Sequence, residues 1–164
     1  MASFYYSYRE GEMQTSHSNM LRWVLYDVLD QNDEFFIHFQ SDYRQVAKGG
    51  GHPEWSIESL KGIIRSLAKS NPVSERLYLI VDAVDESDAG GRIDVIEFLH
   101  ELCSAKGHWV VKVFVASRPV PGMSSYLRES HKIKLQDVNY SDILKFTTSF
   151  LDESRIDILP DNAH

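Results

Sequence analysis

The chain has 164 residues, with 17 Lys and Arg against 24 Asp and Glu for a net charge of −7, the numbers of one ordinary globular domain. Its single cysteine, Cys103, excludes an internal disulfide and with it the small stapled secreted scaffolds. The acidic balance and the lack of a Lys/Arg stripe speak against nucleic acid as a partner. No run of roughly 18 apolar residues is present to cross a membrane, and residues 1–12 have neither the basic start nor the apolar run of a signal peptide, so a cytoplasmic location is expected.

Taken in order, Ala2 to Tyr8 is short, aromatic and free of Gly and Pro, which predicts a strand. Met20, Val24 and Val28 form one i, i+4 row beside Leu21, Leu25 and Leu29, which predicts a helix ending near Gln31 to Asp33. Residues 33 to 54 have weak periodicity and include Gly49-Gly50-Gly51; they are expected to form a long connection anchored by Phe35, Phe36, Ile37 and Phe39. Helical spacing returns from Trp55 to Lys69, with Pro53 before it and Asn71-Pro72 after it. Leu77 to Val81 is a continuous apolar strand running into Asp82, and Arg92 to Cys103 is a further helix. Trp109 to Ala116 is a second apolar strand, ending at Ser117-Arg118-Pro119; such runs are what parallel strands covered on both faces look like. His131 to Leu135 alternates like a strand with one wet face, and a last helix is expected from Asn139, with Asp142 in its first turn.

This order implies an α/β domain of three layers, helices on both faces of a mainly parallel sheet. Ligands of such sheets bind where the C-terminal ends of neighbouring strands converge. Two strands here end in the most polar chemistry of the chain. Asp82, Asp85, Glu86 and Asp88 put four acids in seven residues directly after an apolar strand. A carboxylate at the mouth of a buried strand costs desolvation unless it is paired, hydrogen-bonded or holding a cation. A hard ion such as Mg²⁺ suits Asp82, whereas a solvated turn capping the next helix accounts for Asp88. Arg118 either forks onto phosphate oxygens or pairs with one of the acids across the strand ends. His100 and Cys103 lie one turn apart on a helix, but two ligands do not make a zinc site. No Ser, Cys or Thr carries a nucleophile signature.

Five segments, ASFYYSYREGE, SHSNMLRWVLYDVL, LYLIVDAVDESD, VKVFVASRPVP and KIKLQDVNYSDILKFTTSFL, come in the order of a NACHT-type nucleoside triphosphatase of the signal-transducing STAND class. The chain resembles in particular the version with a nephrocystin-like N-terminal domain found in fungal NOD-like receptors. LYLIVDAVDESD is similar to the family's Walker B segment and ASRP to its sensor. The resemblance implies a P-loop NTPase-like αβα sheet in which Asp82 holds Mg²⁺, Asp85 and Glu86 position or activate the attacking water, and Ser117 and Arg118 sense the terminal phosphate. It further implies ATP or GTP as ligand and a switch between a diphosphate-bound resting form and a triphosphate-bound oligomer in defence or cell-death signalling.

The departure is the phosphate-binding loop G-x-x-x-x-G-K-[ST], which these 164 residues do not contain. The sequence therefore reads as a single partial NACHT domain, its Walker B and sensor half, with the first strand missing and residues 136–164 leading toward a winged-helix region. Such a chain is expected to be inactive alone and to need no cofactor alone. Its sensor strand, left without the neighbour the family gives it, either faces a gap or pairs with 131–135. The isolated chain is then expected to be marginal or self-associating. A second reading is a non-enzymatic module that associates with full-length NACHT proteins. An unrelated Mg²⁺-dependent phosphohydrolase is disfavoured, since Asp82 and Asp85 lack the D-x-D spacing of the haloacid dehalogenases.

Overall fold

The computed structural model describes residues 1–31, 33–48, 55–70, 76–105, 109–123 and 131–153. The chain divides into two compact units, Met1–Arg128 and Glu129–His164. The first holds a parallel sheet in the order β1 (Ala2–Tyr5), β2 (Arg76–Asp82), β3 (Val110–Val115). Ala2 lies beside Leu79 in the first pairing, and Leu79 beside Val113 in the second.

Helices fill the connections. A single turn, α1 (Glu12–Thr15), leads into α2 (His17–Gln31), whose start is capped by Ser16: its hydroxyl accepts the Asn19 N–H and its carbonyl the Met20 N–H. Then come α3 (Asp33–Ala47), α4 (Ile57–Ser70) and, between β2 and β3, α5 (Arg92–Ser104). Ser56 caps α4 in the same way, accepting from Ser59 N–H at 3.1 Å.

The α/β class and the parallel sheet are as the sequence implies; the layering follows from strand order. Each crossover joining parallel strands is right-handed as a rule. Both crossovers here step in the same direction along the sheet, so both deliver their helices to one face. Accordingly α2 packs on β1, α5 on β3, and α4 lies between α2 and α5. The covered face carries Ala2, Phe4, Leu77, Leu79, Val81 and Val111, all buried. The opposite face carries Tyr5, Tyr78, Val110 and Phe114, all exposed. Within this unit the sheet and the described helices on its covered face thus make two layers, and the apolar runs of β2 and β3 are buried on one side rather than both.

Three other expectations need correction. Residues 33–47 are helical, with Phe35 and Phe39 buried one turn apart and Tyr43 a turn further on. Adjacent aromatics hid that row. Residues 131–134 form no strand and Ile133 is exposed, so β3 has no partner on its outer edge among the described residues. The last helix, α6 (Leu135–Glu153), starts a turn before Asn139, with Asp137 in the first turn where the helix dipole favours an acid. It belongs to the second unit, where Leu135, Val138, Tyr140, Ile143, Leu144 and Phe146 are exposed. The triple glycine, Pro53 and Asn71-Pro72 fall outside the described residues. No helix among the described residues is long and apolar enough to cross a membrane.

Candidate functional site

Because β2 and β3 are adjacent and parallel, Asp82 and Ser117-Arg118 emerge at the same edge of the sheet. Backbone bonds hold the two ends together: Ala116 N–H donates to Val81 O (2.9 Å) and Val84 N–H to Ala116 O (3.1 Å). The end of β1 joins them through Tyr6 N–H to Asp82 O at 3.1 Å.

The chain turns sharply after Asp82. Ala83 sits at φ 52, ψ 43, the left-handed region that residues with a Cβ seldom occupy, and Val84–Glu86 then form a single 3-10 turn. The Asp82 carboxylate contributes to this bend by accepting Ala83 N–H through Oδ1 at 2.8 Å, which leaves Oδ2 for a cation. Ala83→Gly should therefore stabilise the fold by about 1 kcal/mol, since glycine tolerates this φ freely. A thermal midpoint unchanged or lowered in that variant would show that the turn is not strained.

Asp85 reaches across to β3. Its Oδ1 accepts the Arg118 N–H at 2.9 Å, and its Oδ2 lies 3.6 Å from Arg118 Nε. The Ser117 hydroxyl donates to the Arg118 carbonyl (2.7 Å), with Asp85 Oδ1 a longer 3.4 Å away. Glu86 accepts Tyr8 N–H at 3.1 Å through Oε2, and its Oε1 lies 3.9 Å from Arg118 Nη2. The Arg118 side chain is 81% exposed, so these ion pairs are long and solvent-screened, worth at most about 1 kcal/mol. The structure thus brings Asp85, Glu86, Ser117 and Arg118 together and places Asp82 at the adjoining strand end. Asp88 is exposed and accepts Gly90 N–H at 3.1 Å, as a turn acid would.

Residues that the sequence did not flag hold this loop from beneath. Ser87 is fully buried; its hydroxyl donates to Val84 O at 2.7 Å and accepts Arg92 Nε–H at 2.9 Å. The Arg92 guanidinium also donates to the carbonyls of Asp85 and Ser87. An Arg opening a helix right after an acidic loop was the available signal. Tyr6 and His17 complete the support: Tyr6 Oη lies 2.9 Å from His17 Nδ1, and His17 Nε2 lies 2.8 Å from Asp88 O.

No group of three or more His, Cys, Asp and Glu able to hold a metal occurs among the described residues. A Mg²⁺ ion here would have the Asp82 carboxylate as its protein ligand and complete its shell with water and phosphate oxygens, a usual arrangement for that ion. The donor set fits to that extent. A cavity of about 230 Å³ lies at the other end of the sheet, lined by Val28, Gln31, Phe35, Arg76, Leu77 and Trp109, with Met1 at its rim. It has no carboxylate, so the acid chemistry belongs to the opposite edge.

The model of one family, described as nephrocystin 3, N-terminal, matches residues 1–118. The chain belongs to that family. The nephrocystin 3 N-terminal match takes in β1, β2 and β3 together with Asp82, Asp85, Glu86, Ser117 and Arg118. The nephrocystin-like assignment made from the sequence segments therefore stands, and α6 lies beyond the matched residues. No curated protein and no solved structure matches the chain.

Proposed function

We propose that this chain carries the metal and sensor half of a NACHT-type nucleoside triphosphatase, a molecular switch in defence or cell-death signalling that is not active on this half alone. The observation that supports the reading is the edge just described, where a strand-terminal carboxylate and an exposed arginine that follows the neighbouring parallel strand lie at the same end of the sheet. Asp82 would hold Mg²⁺, which would offset charge on the phosphates of ATP or GTP. Arg118 would trade its weak contacts with Asp85 and Glu86 for a terminal phosphate, helped by Ser117. That exchange would free Asp85 and Glu86 to orient water, so that phosphate and the two acids compete for one guanidinium, a basis for two states. The phosphate cradle itself, backbone amides with a lysine, is absent from the sequence.

Titrating ATP and GTP against the chain with and without Mg²⁺ tests this. Binding weaker than micromolar that requires Mg²⁺ and drops about tenfold or more in Asp82→Ala and Arg118→Ala is the expected result, since each variant removes a charge-assisted contact. Binding unchanged by both substitutions removes the reading. A second reading, a non-enzymatic module that docks on full-length NACHT proteins, is favoured by the outer edge of β3, whose N–H and C=O groups can accept a strand in trans. A pull-down in which an intact NACHT protein fails to retain the chain would eliminate it. A cytoplasmic setting suits either reading.

A further inference from the structure

The acidic loop is tied to the segment between β1 and α2 at several points. Tyr8 N–H binds Glu86, Asp88 N–H donates to Thr15 O at 2.9 Å, and His17 binds the Asp88 carbonyl. Of these ties only the last runs through a group that titrates near neutrality. His17 is 4% exposed and Tyr6 3%. Their geometry settles the proton positions. A carbonyl only accepts, so Nε2 carries a hydrogen and donates to Asp88 O; in the neutral ring Nδ1 then accepts the Tyr6 hydroxyl proton.

We propose that Tyr6, His17 and the Asp88 carbonyl form a pH-sensitive latch that holds the acidic loop against β1 and α2 when His17 is neutral and loosens it when His17 is protonated. A second proton would go onto Nδ1, the atom that faces the tyrosine. The phenol oxygen could then accept from the ring, but its own hydrogen would be left without an acceptor in a buried position, the costly case for a polar group. His17 also opens α2, where the positive end of the helix dipole disfavours a cation.

The groups around the ring act in both directions. Burial is the largest influence and holds His17 below its ordinary value; the Asp88 carbonyl and the Asp88 and Asp94 carboxylates favour the cation, and Arg92 disfavours it. Burial likewise holds the Tyr6 phenol far above its ordinary range, so it stays a donor throughout. With the folded value depressed, the latch contributes in full above the unfolded value of about 6.5 and is lost as pH falls from there through the folded value. This latch concerns the loop's own conformation and stands whether or not the loop meets a nucleotide.

Amide hydrogen exchange in residues 83–92, corrected for the intrinsic pH dependence of exchange, tests it. Between about pH 7.5 and about pH 5.5 the loop amides should lose about fivefold to tenfold in protection relative to Leu79 in β2, the factor one lost buried hydrogen bond carries. His17→Gln keeps a donor and an acceptor but cannot titrate, so its loop should show no such loss. Equal protection at both pH values in the parent chain, or the same loss in His17→Gln, overturns the proposal. Should His17→Gln not fold, the imidazole resonances of the parent chain decide. A loop transition sharing the His17 midpoint supports the latch, and one with a separate midpoint removes it.

Discussion

Leu79→Ala should destabilise the chain by about 2–5 kcal/mol, a large share of the roughly 5–15 kcal/mol that holds a domain folded. Leu79 is 2% exposed on the central strand, side by side with Ala2 and Val113 and roofed by the helical layer. The lost transfer energy is compounded by a cavity that three strands and their helices cannot easily close. Tyr78, the residue before it, points to the open face and is 43% exposed. Tyr78→Ala should cost no more than about 0.5 kcal/mol, the usual range for a surface site. Urea unfolding of the pair reads the difference directly as a shift in midpoint at constant slope. Comparable losses in the two variants would mean that both faces are covered, against the crossover argument.

The second large effect concerns Lys61, the one fully buried lysine among the described residues. Its ammonium, from α4, bonds Asp94 of α5 and Glu58 one turn back, and lies 5.7 Å above the Phe98 ring. Asp94→Ala strands that charge with one exposed partner and should cost about 1–3 kcal/mol. Lys61→Met keeps the volume and removes the charge; it should leave stability within about 1 kcal/mol of the parent or raise it, because the desolvation cost disappears with the ion pair. Thermal melts of both variants supply the test. A loss in Lys61→Met as great as in Asp94→Ala would show that the ion pair is itself a net source of stability.

Apolar runs made the sheet legible. Leu77 to Val81 and Val110 to Val115 have no competing helical spacing, and the polar residues that end them had to lie at one edge once the strands were parallel neighbours. Element boundaries were another matter. Phe35, Phe39 and Tyr43 form a helical row, but Phe36 and Ile37 interrupt its contrast, so burial and not pattern decides α3. Five alternating residues from His131 to Leu135 look like a strand, yet a strand exists only with a ladder partner, and none is described for them. The open face was hidden because a run of apolar residues does not say how many sides are covered; the direction of the crossovers does. Ser87, Arg92 and His17 escaped notice for a different reason. Ser87 and Arg92 bond carbonyls and a hydroxyl of the loop itself, three to seven residues away, and His17 bonds the Asp88 carbonyl 71 residues away; apart from the position of Arg92 at the start of a helix, no spacing rule foretells these partners.

The two halves of the polar edge also meet over unequal lengths of chain. Asp85 and Arg118 are 33 residues apart, whereas Tyr8 and Glu86 are 78 apart. At equilibrium the longer closure costs only about 0.8 kcal/mol more, since loop entropy grows with the logarithm of length. In time the asymmetry weighs more. Translation adds roughly 5–20 residues per second, so β1, made first, waits several seconds before its ladder partner is even synthesised. The β2–α5–β3 crossover, being the shorter closure, offers β1 a finished edge to join, so β1, though made before β2 and β3, is expected to enter this sheet after they have paired.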